Sequence, residues 1–136
     1  MRIDREALEL VRQHAAEGYP YEICGMLLAE RGANVVSQTR RVRNIVVERA
    51  RDRYEMDPLD QIRIQRECDE DGLEIVGYYH SHPDHPARAS ITDSQRSWAG
   101  PVYVIVSCNQ GQPGEANACV AEHDGGPMRG ELLEVV

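Results

Sequence analysis

Aromatic residues and long apolar stretches are scarce in this sequence. Only 5% of its 136 residues are aromatic, and phenylalanine is absent. The core must therefore be built mainly from Val, Ile, Leu, Met and Ala. No stretch of about 18 apolar residues occurs, so no membrane span is expected. The N-terminus is charged and lacks the apolar run of a signal peptide, which favours a cytoplasmic protein.

The sequence also lacks the closely spaced cysteine pairs of many zinc sites. Its cysteines are Cys24, Cys68, Cys108 and Cys119, and no two of them form a C-x-x-C pair. A zinc nucleoside deaminase is therefore disfavoured, because its signature combines H-x-E with a later P-C-x-x-C. The chain is neither very small nor visibly secreted, so we expect buried, reduced thiols rather than two disulfides.

Basic residues are outnumbered by acidic ones. Lys and Arg total 15, Asp and Glu total 23, and the formal net charge is −8. An acidic surface repels phosphate backbones, so nucleic acid is not an expected partner. The same argument disfavours a DNA-repair protein.

The length of the chain suits one domain spanning residues 1–136. Apolar periodicity predicts helices at 4–17, 58–71 and 91–98, the second with core positions Ile62, Ile64 and Cys68. Strands are predicted at 23–28, 34–43, 54–56, 73–79, 102–107, 116–122 and 132–136, and a loop at 81–89. Most consecutive strands are close enough to pair antiparallel. The pattern predicts an α/β domain of two or three layers on one mixed sheet.

The residues with the clearest chemistry follow the strand predicted at 73–79. His80 and His82 are two residues apart, and at the end of a strand such residues project to the same face. Two imidazoles on one face can share a zinc ion, and Asp93 can supply a third ligand. Three protein ligands leave one position open for water, which is typical of a catalytic zinc site.

A catalytic zinc site also needs a base, for which Glu22 is the candidate because it directly precedes an apolar run. Each residue alone has an ordinary interpretation. Paired histidines are common in loops, Glu22 resembles a surface charge, and Ser90 with Asp93 forms a good capping box for a helix. The joint pattern favours the metal site.

Together these residues resemble the JAMM (MPN+) metalloprotease family. Its pattern is a distant Glu, then H-[ST]-H-P, then seven residues and S-x-x-D. Here H-S-H-P occupies residues 80–83 and S-I-T-D follows at 90–93 with that spacing. Glu22 lies in Pro20–Leu27, which is similar to the family's segment around its glutamate. Asn44 and the segment 54–58 are similar to the short bacterial members. The resemblance covers nearly the whole chain.

The resemblance implies a role for each residue. His80, His82 and Asp93 would bind one zinc ion per chain, Glu22 would move the proton of the attacking water, and Ser90 would donate a hydrogen bond to the oxyanion. It also implies a curved mixed sheet flanked by helices, with a cytidine-deaminase-like architecture.

The family further implies a substrate, since its members act on the Gly-Gly tails of ubiquitin-like and sulfur-carrier proteins. Only residues 94–100 separate the helix of Asp93 from the next strand, which leaves no room for the long insertion of the eukaryotic members. We therefore expect an isopeptidase or peptidase acting on a carrier protein, with residues 44–57 as a wall of its groove. The family includes dimers, so a homodimer stays open.

The alternative is a protein-binding scaffold of the same fold that has lost its activity. The complete motif argues against it, and bound zinc would separate the two. Three further histidines lie outside the motif: we expect His85 to be a solvated loop residue, and His14 and His123 to be structural or exposed.

Overall fold

The computed structural model describes all 136 residues, which form three helices and nine strands. The helices are α1 (Arg5–Gly18), α2 (Pro58–Asp71) and α3 (Ile91–Gln95). The strands are β1 (Arg2–Ile3), β2 (Cys24–Glu30), β3 (Val35–Val36), β4 (Gln38–Val42), β5 (Leu73–Pro83), β6 (Val102–Asn109), β7 (Gln112–Ala121), β8 (Met128–Glu131) and β9 (Glu134–Val135).

Six of the strands form one mixed sheet in the order β4-β2-β5-β6-β7-β8. Only β5 and β6 pair in parallel, and the other neighbours are antiparallel. The sequence predicted a single sheet, which is wrong in one respect. The short strands β3, β1 and β9 form a second, parallel sheet that ties the two ends of the chain together.

The two long helices cover opposite faces of the six-stranded sheet. Leu27 of β2 packs in the cluster that contains the apolar face of α1, including Leu8. Its neighbours Met26 and Leu28 pack in the cluster that contains Ile64 of α2. This alternation follows from the two-residue period of a strand, and it gives three layers. The predicted α/β class is confirmed.

Helix α2 begins and ends as its sequence indicates. Asp57 accepts a hydrogen bond from the backbone of Leu59, Pro58 occupies the first turn, and Gly72 ends the helix with a left-handed φ of 70°. Ile62 was predicted to be a core residue, but 59% of its surface is exposed because it lies on the face of α2 turned away from the sheet.

Strand β5 is longer than predicted, and this difference matters for the site. Residues 81–83 were assigned to a loop, but they continue the strand because β6 runs beside them, with His82 opposite Ser107 and Pro83 opposite Cys108. The backbone of Ser81 also donates to the carbonyl of Ile23. Both histidines are therefore held within the sheet.

Other boundaries also differ from the predictions. The strand predicted at 34–43 is divided into β3 and β4, β8 was not predicted, and the final strand shortens to β9. Residues 54–56 contribute only a bridge between Met56 and Asn44. The four cysteines are buried and unpaired, as expected. None of the three helices has the length and apolar character that a membrane crossing requires.

Candidate metal centre

Three side-chain atoms converge beside the end of β5. The Nε2 atoms of His80 and His82 are 3.2 Å apart. The Oδ2 atom of Asp93 lies 3.0 Å from Nε2 of His82 and 3.2 Å from Nε2 of His80. The structure thus brings together the three residues that the sequence predicts as metal ligands.

Local structure explains this convergence. His80 and His82 lie on the same face of β5, as their spacing requires. Asp93 is in the first turn of α3, where a capping box fixes it: its backbone N–H donates to Ser90 Oγ, and its Oδ2 accepts from the backbone N–H of Ser90. The capping interpretation and the ligand interpretation of Asp93 are therefore compatible, since one carboxylate serves both contacts.

The three donor atoms fit a small divalent cation. Their lone pairs point at one another, so the cluster needs a proton or a metal ion between them. Ligands about 2.0–2.1 Å from a tetrahedral zinc lie roughly 3.3–3.4 Å apart. The separations of 3.0–3.2 Å are close to that geometry. Two imidazoles and one carboxylate are also a donor set that zinc accepts.

The ionisation of the three groups reflects both their burial and their close contacts. Burial lowers the pKa of His80, which favours the neutral ring that a metal binds. For His82 burial acts in the same direction, but the contacts with Asp93 and with the carbonyl of Pro86 outweigh it and raise the pKa. Burial opposes ionisation of Asp93, yet its contacts with the two histidines hold its pKa well below the usual range.

The two histidines are oriented by different contacts. Nδ1 of His82 lies 2.8 Å from the carbonyl oxygen of Pro86, which accepts the N–H and leaves Nε2 free for a metal. Nδ1 of His80 is buried and has no hydrogen-bond partner. The His80 ring instead stacks on Tyr54, with ring centroids 4.6 Å apart and an angle of 26° between the planes.

Glu22 lies two residues before the start of β2 and adds a second carboxylate to the cluster. It is only 5% exposed, and one of its carboxylate oxygens lies within 4.8 Å of the ligand nitrogens of His80 and His82. Burial raises the pKa of Glu22 to about 8, although the positive charge of His82 acts in the opposite direction. Its backbone N–H donates to Ala50, and its carbonyl accepts from the side chain of Asn44.

Glu22 lines two cavities. The first, of about 580 Å³, extends over Tyr54, Asp93 and Trp98. The second, of about 470 Å³, extends over His82 and the exposed Ser90. Residues 52–56 line the first cavity and residues 51–53 line the second, so part of the segment 44–57 forms walls of both; its role as the wall of a substrate groove stays a prediction.

The remaining histidines lie apart from the cluster. His85 is exposed at the edge of the second cavity, and His123 is exposed elsewhere. His14 is half-buried, with Nδ1 2.8 Å from the hydroxyl of Tyr79. Sequence reasoning missed Tyr54 and Asn44 as parts of the site. The only available signal was the likeness of their segment to short bacterial relatives.

The three-layer fold and this cluster of two histidines, an aspartate and a buried glutamate define a hydrolase of the JAMM class. The family described as prokaryotic homologs of the JAB domain matches residues 4–120. A desampylase from Haloferax volcanii is 37% identical over 75% of this chain and 76% of its own. The chain belongs to this prokaryotic JAB family.

Solved structures agree with the assignment of the fold. A protein from Salinibacter ruber, known from its solution structure, is 36% identical with a TM-score of 0.76 and covers 100% of this chain and 92% of its own. A JAB1/MPN domain protein from Archaeoglobus fulgidus is 19% identical with a TM-score of 0.63 and covers 100% of this chain and 97% of its own. The second likeness concerns the fold alone.

Proposed function

We propose that this chain is a zinc-dependent isopeptidase that hydrolyses the amide or isopeptide bond after the Gly-Gly tail of a ubiquitin-like or sulfur-carrier protein. The observation that carries the proposal is the convergence of three ligand atoms within 3.0–3.2 Å beside a buried glutamate. The Haloferax volcanii relative, a desampylase, supports the substrate class.

In this proposal His80, His82 and Asp93 hold one zinc ion per chain. When bound, zinc supplies a Lewis acid that makes water a better nucleophile and polarises the carbonyl of the scissile bond. The residues of the chain prepare the site for it. Burial keeps the His80 ring neutral, Pro86 fixes the tautomer of His82, and the backbone of Ser90 holds the Asp93 carboxylate.

Glu22 is the proposed general base. It takes a proton from the attacking water as the oxygen bonds to the carbonyl carbon, and it gives that proton to the amine as the C–N bond breaks. Its position suits this role, because Glu22 lines both cavities and lies beside the ligand atoms of His80 and His82.

Ser90 is the proposed donor to the oxyanion of the tetrahedral intermediate. Its Oγ accepts a hydrogen bond from the backbone of Asp93 and has no acceptor of its own, so the hydroxyl hydrogen is free to donate. Ser90 also lines the second cavity, beside His82.

The connection between α3 and β6 supports a small carrier protein as the substrate, because residues 96–101 leave no space for a long insertion that could embrace a larger partner. The buried, unpaired thiols suit a cytoplasmic location. We also propose that residues 1–136 form one such domain. A homodimer is compatible with this proposal, as in other members of the family.

The decisive experiment uses a carrier domain ending in Gly-Gly that is joined to the lysine ε-amine of a labelled peptide. We expect cleavage by the protein with zinc, loss of cleavage after chelation, and recovery when zinc is restored. Glu22→Gln should retain zinc and the fold but lower kcat by about 10²- to 10⁴-fold. Glu48→Gln, an exposed glutamate in the same region, is the matched control.

Two results would contradict the proposal. Cleavage by Glu22→Gln at the rate of the unmodified protein would exclude Glu22 as the base. Failure of the zinc-loaded protein to cleave any such conjugate, together with retained binding of the carrier domain, would favour the alternative of a scaffold without activity.

A further inference from the structure

The second cavity has an excess of positive charge on a chain whose net charge is −8. Arg51, Arg53 and Arg88 line this cavity. None of the three makes an ion pair with a carboxylate anywhere in the structure. On an acidic protein, arginines that gather around a site without ion-pair partners need an explanation.

The two carboxylates in the walls of the cavity interact with the charge of Arg53, but neither forms an ion pair with any of the three arginines. Asp52 is bound from outside by Arg49, whose Nη2 lies 2.6 Å from Asp52 Oδ2 and which does not line the cavity. Glu22 is the proposed base. Asp84 lies outside the lining, where it accepts from Tyr19 and from the backbone of Gln110; it interacts with the charge of Arg51 but forms no ion pair with it.

The residues that line the second cavity also favour a charged ligand. Seven of the eleven lining residues have an ionisable side chain, so the cavity suits a charged ligand segment. Arg53 is half-buried and donates to the carbonyl of Asp52, a contact that places the guanidinium without cancelling its charge. Arg51 and Arg88 are exposed and free to contact a ligand.

We propose that this cavity binds an acidic segment of the substrate next to the scissile bond, with Arg51 and Arg88 as specificity-determining residues. The inference rests on the proposed function and deepens it. It predicts that conjugates with Asp or Glu close to the Gly-Gly linkage are the preferred substrates. It also predicts that a basic segment at this place is disfavoured, because the arginines repel it.

The test compares three Gly-Gly isopeptide substrates of equal length. One carries three glutamates on the acyl side, one carries them on the amine side, and one has glutamines at all these positions. We expect the zinc-loaded protein to favour at least one acidic substrate by about 3- to 10-fold in kcat/KM, since exposed ion pairs contribute modestly. The preference should decrease at 1 M salt, where screening acts over about 3 Å.

The matched variants are Arg51→Gln/Arg88→Gln and, as the control, Arg5→Gln/Arg66→Gln. The control removes two exposed arginines that also lack ion pairs and lie outside the cavity. The first double variant should lose the preference through KM while it still cleaves the neutral substrate, and the control should retain the preference.

The outcomes separate this inference from the proposed function. Equal cleavage of acidic and neutral substrates by the unmodified protein would overturn the inference and leave the proposed function standing. An equal loss of preference in both double variants would also overturn it, because net charge rather than the cavity would then be responsible. Cleavage of no substrate at all would overturn the proposed function, and the inference with it.

Discussion

The imidazole of His80 stacks on the ring of Tyr54, with centroids 4.6 Å apart. A metal-binding histidine is usually oriented by a hydrogen bond from its second ring nitrogen. Nδ1 of His80 has no such partner. The orientation of one proposed ligand thus depends on an aromatic side chain 26 residues earlier in the chain.

Replacing Tyr54 should weaken the binding of metal. We expect Tyr54→Ala to lower zinc affinity by about 10-fold, a typical effect for a group that orients a ligand, and Tyr54→Phe to preserve it because the ring remains. Competition with a chromogenic chelator measures the affinity. The absorption spectrum of the cobalt-substituted protein should change for alanine alone. Tyr21→Ala is the control, since Tyr21 is 54% exposed. Equal affinity in Tyr54→Ala would refute this role.

Ser90 allows its structural and catalytic roles to be separated. Glycine is nearly as good as serine at an N-cap, whereas alanine costs about 1 kcal/mol. Ser90→Gly should therefore keep most of the stability but lose about 10²-fold or more in kcat, because the oxyanion donor is gone. Ser90→Thr should keep both. If thermal unfolding and kcat of Ser90→Gly both match the unmodified protein, Ser90 is a cap and nothing more.

Asn44 fixes the segment that carries the wall of both cavities. Its side-chain amide donates to the carbonyls of Glu22 and Arg53, and its side-chain oxygen accepts from the backbones of Val46 and Glu55. Each such bond contributes about 0.5–1.5 kcal/mol net. We expect Asn44→Ala to lower the free energy of unfolding by about 2–3 kcal/mol in urea titrations.

Two further variants test that explanation. Asn44→Asp keeps the acceptor but places an anionic oxygen beside the carbonyls of Glu22 and Arg53, so at pH 7 its loss should be at least as large as that of alanine. Asn34→Ala, at an exposed position, should change little. Hydrogen exchange in Asn44→Ala should accelerate over residues 44–56 before the rest of the sheet. Uniform acceleration over the whole chain would contradict a local role.

We expect the free energy of unfolding to depend on pH through His14. Burial, followed by the charge of Arg41, lowers the pKa of His14 from 6.5 to about 4. Because the pKa is lower in the folded chain than in the unfolded chain, His14 contributes to the free energy of unfolding as a neutral ring. This contribution is fully present above pH 6.5 and is lost as the pH falls through 4. The half-exposed ring limits the slope to about 1 kcal/mol per pH unit.

The comparison that isolates this effect is His14→Gln against the unmodified protein, both freed of metal. Urea unfolding at pH 7.5, 5.5 and 4.5 should show that the unmodified protein loses stability faster than the variant. Other titrating groups cancel in the difference. Parallel curves would contradict the assignment to His14.

The parts of the site that could be predicted from the sequence are those set by local geometry. His80 and His82 lie on one face because a strand has a period of two, and Asp93 is three residues after an N-cap. Tyr54 and Asn44 could not be found in this way. Their contacts with His80 and Glu22 span 26 and 22 residues, so only the folded chain brings them together.

The wrong predictions of secondary structure and burial have similar causes. The prolines after His82 indicated a loop, but β6 supplies a partner that extends β5 to Pro83. Ile62 fits a helical pattern, yet α2 turns only Ile64 and Cys68 into the core. Strand β8 follows Gly125-Gly126-Pro127, which indicates a break, and it forms because β7 offers a free edge.

The most direct test of the account is the zinc content of protein purified without chelator, measured by elemental analysis. The unmodified protein should contain about one zinc ion per chain, and His80→Ala/His82→Ala and Asp93→Ala should each contain almost none while remaining folded by circular dichroism. No zinc in the unmodified protein, even after incubation with the ion, would contradict the metal centre. Full zinc occupancy in Asp93→Ala would contradict the proposed ligand set.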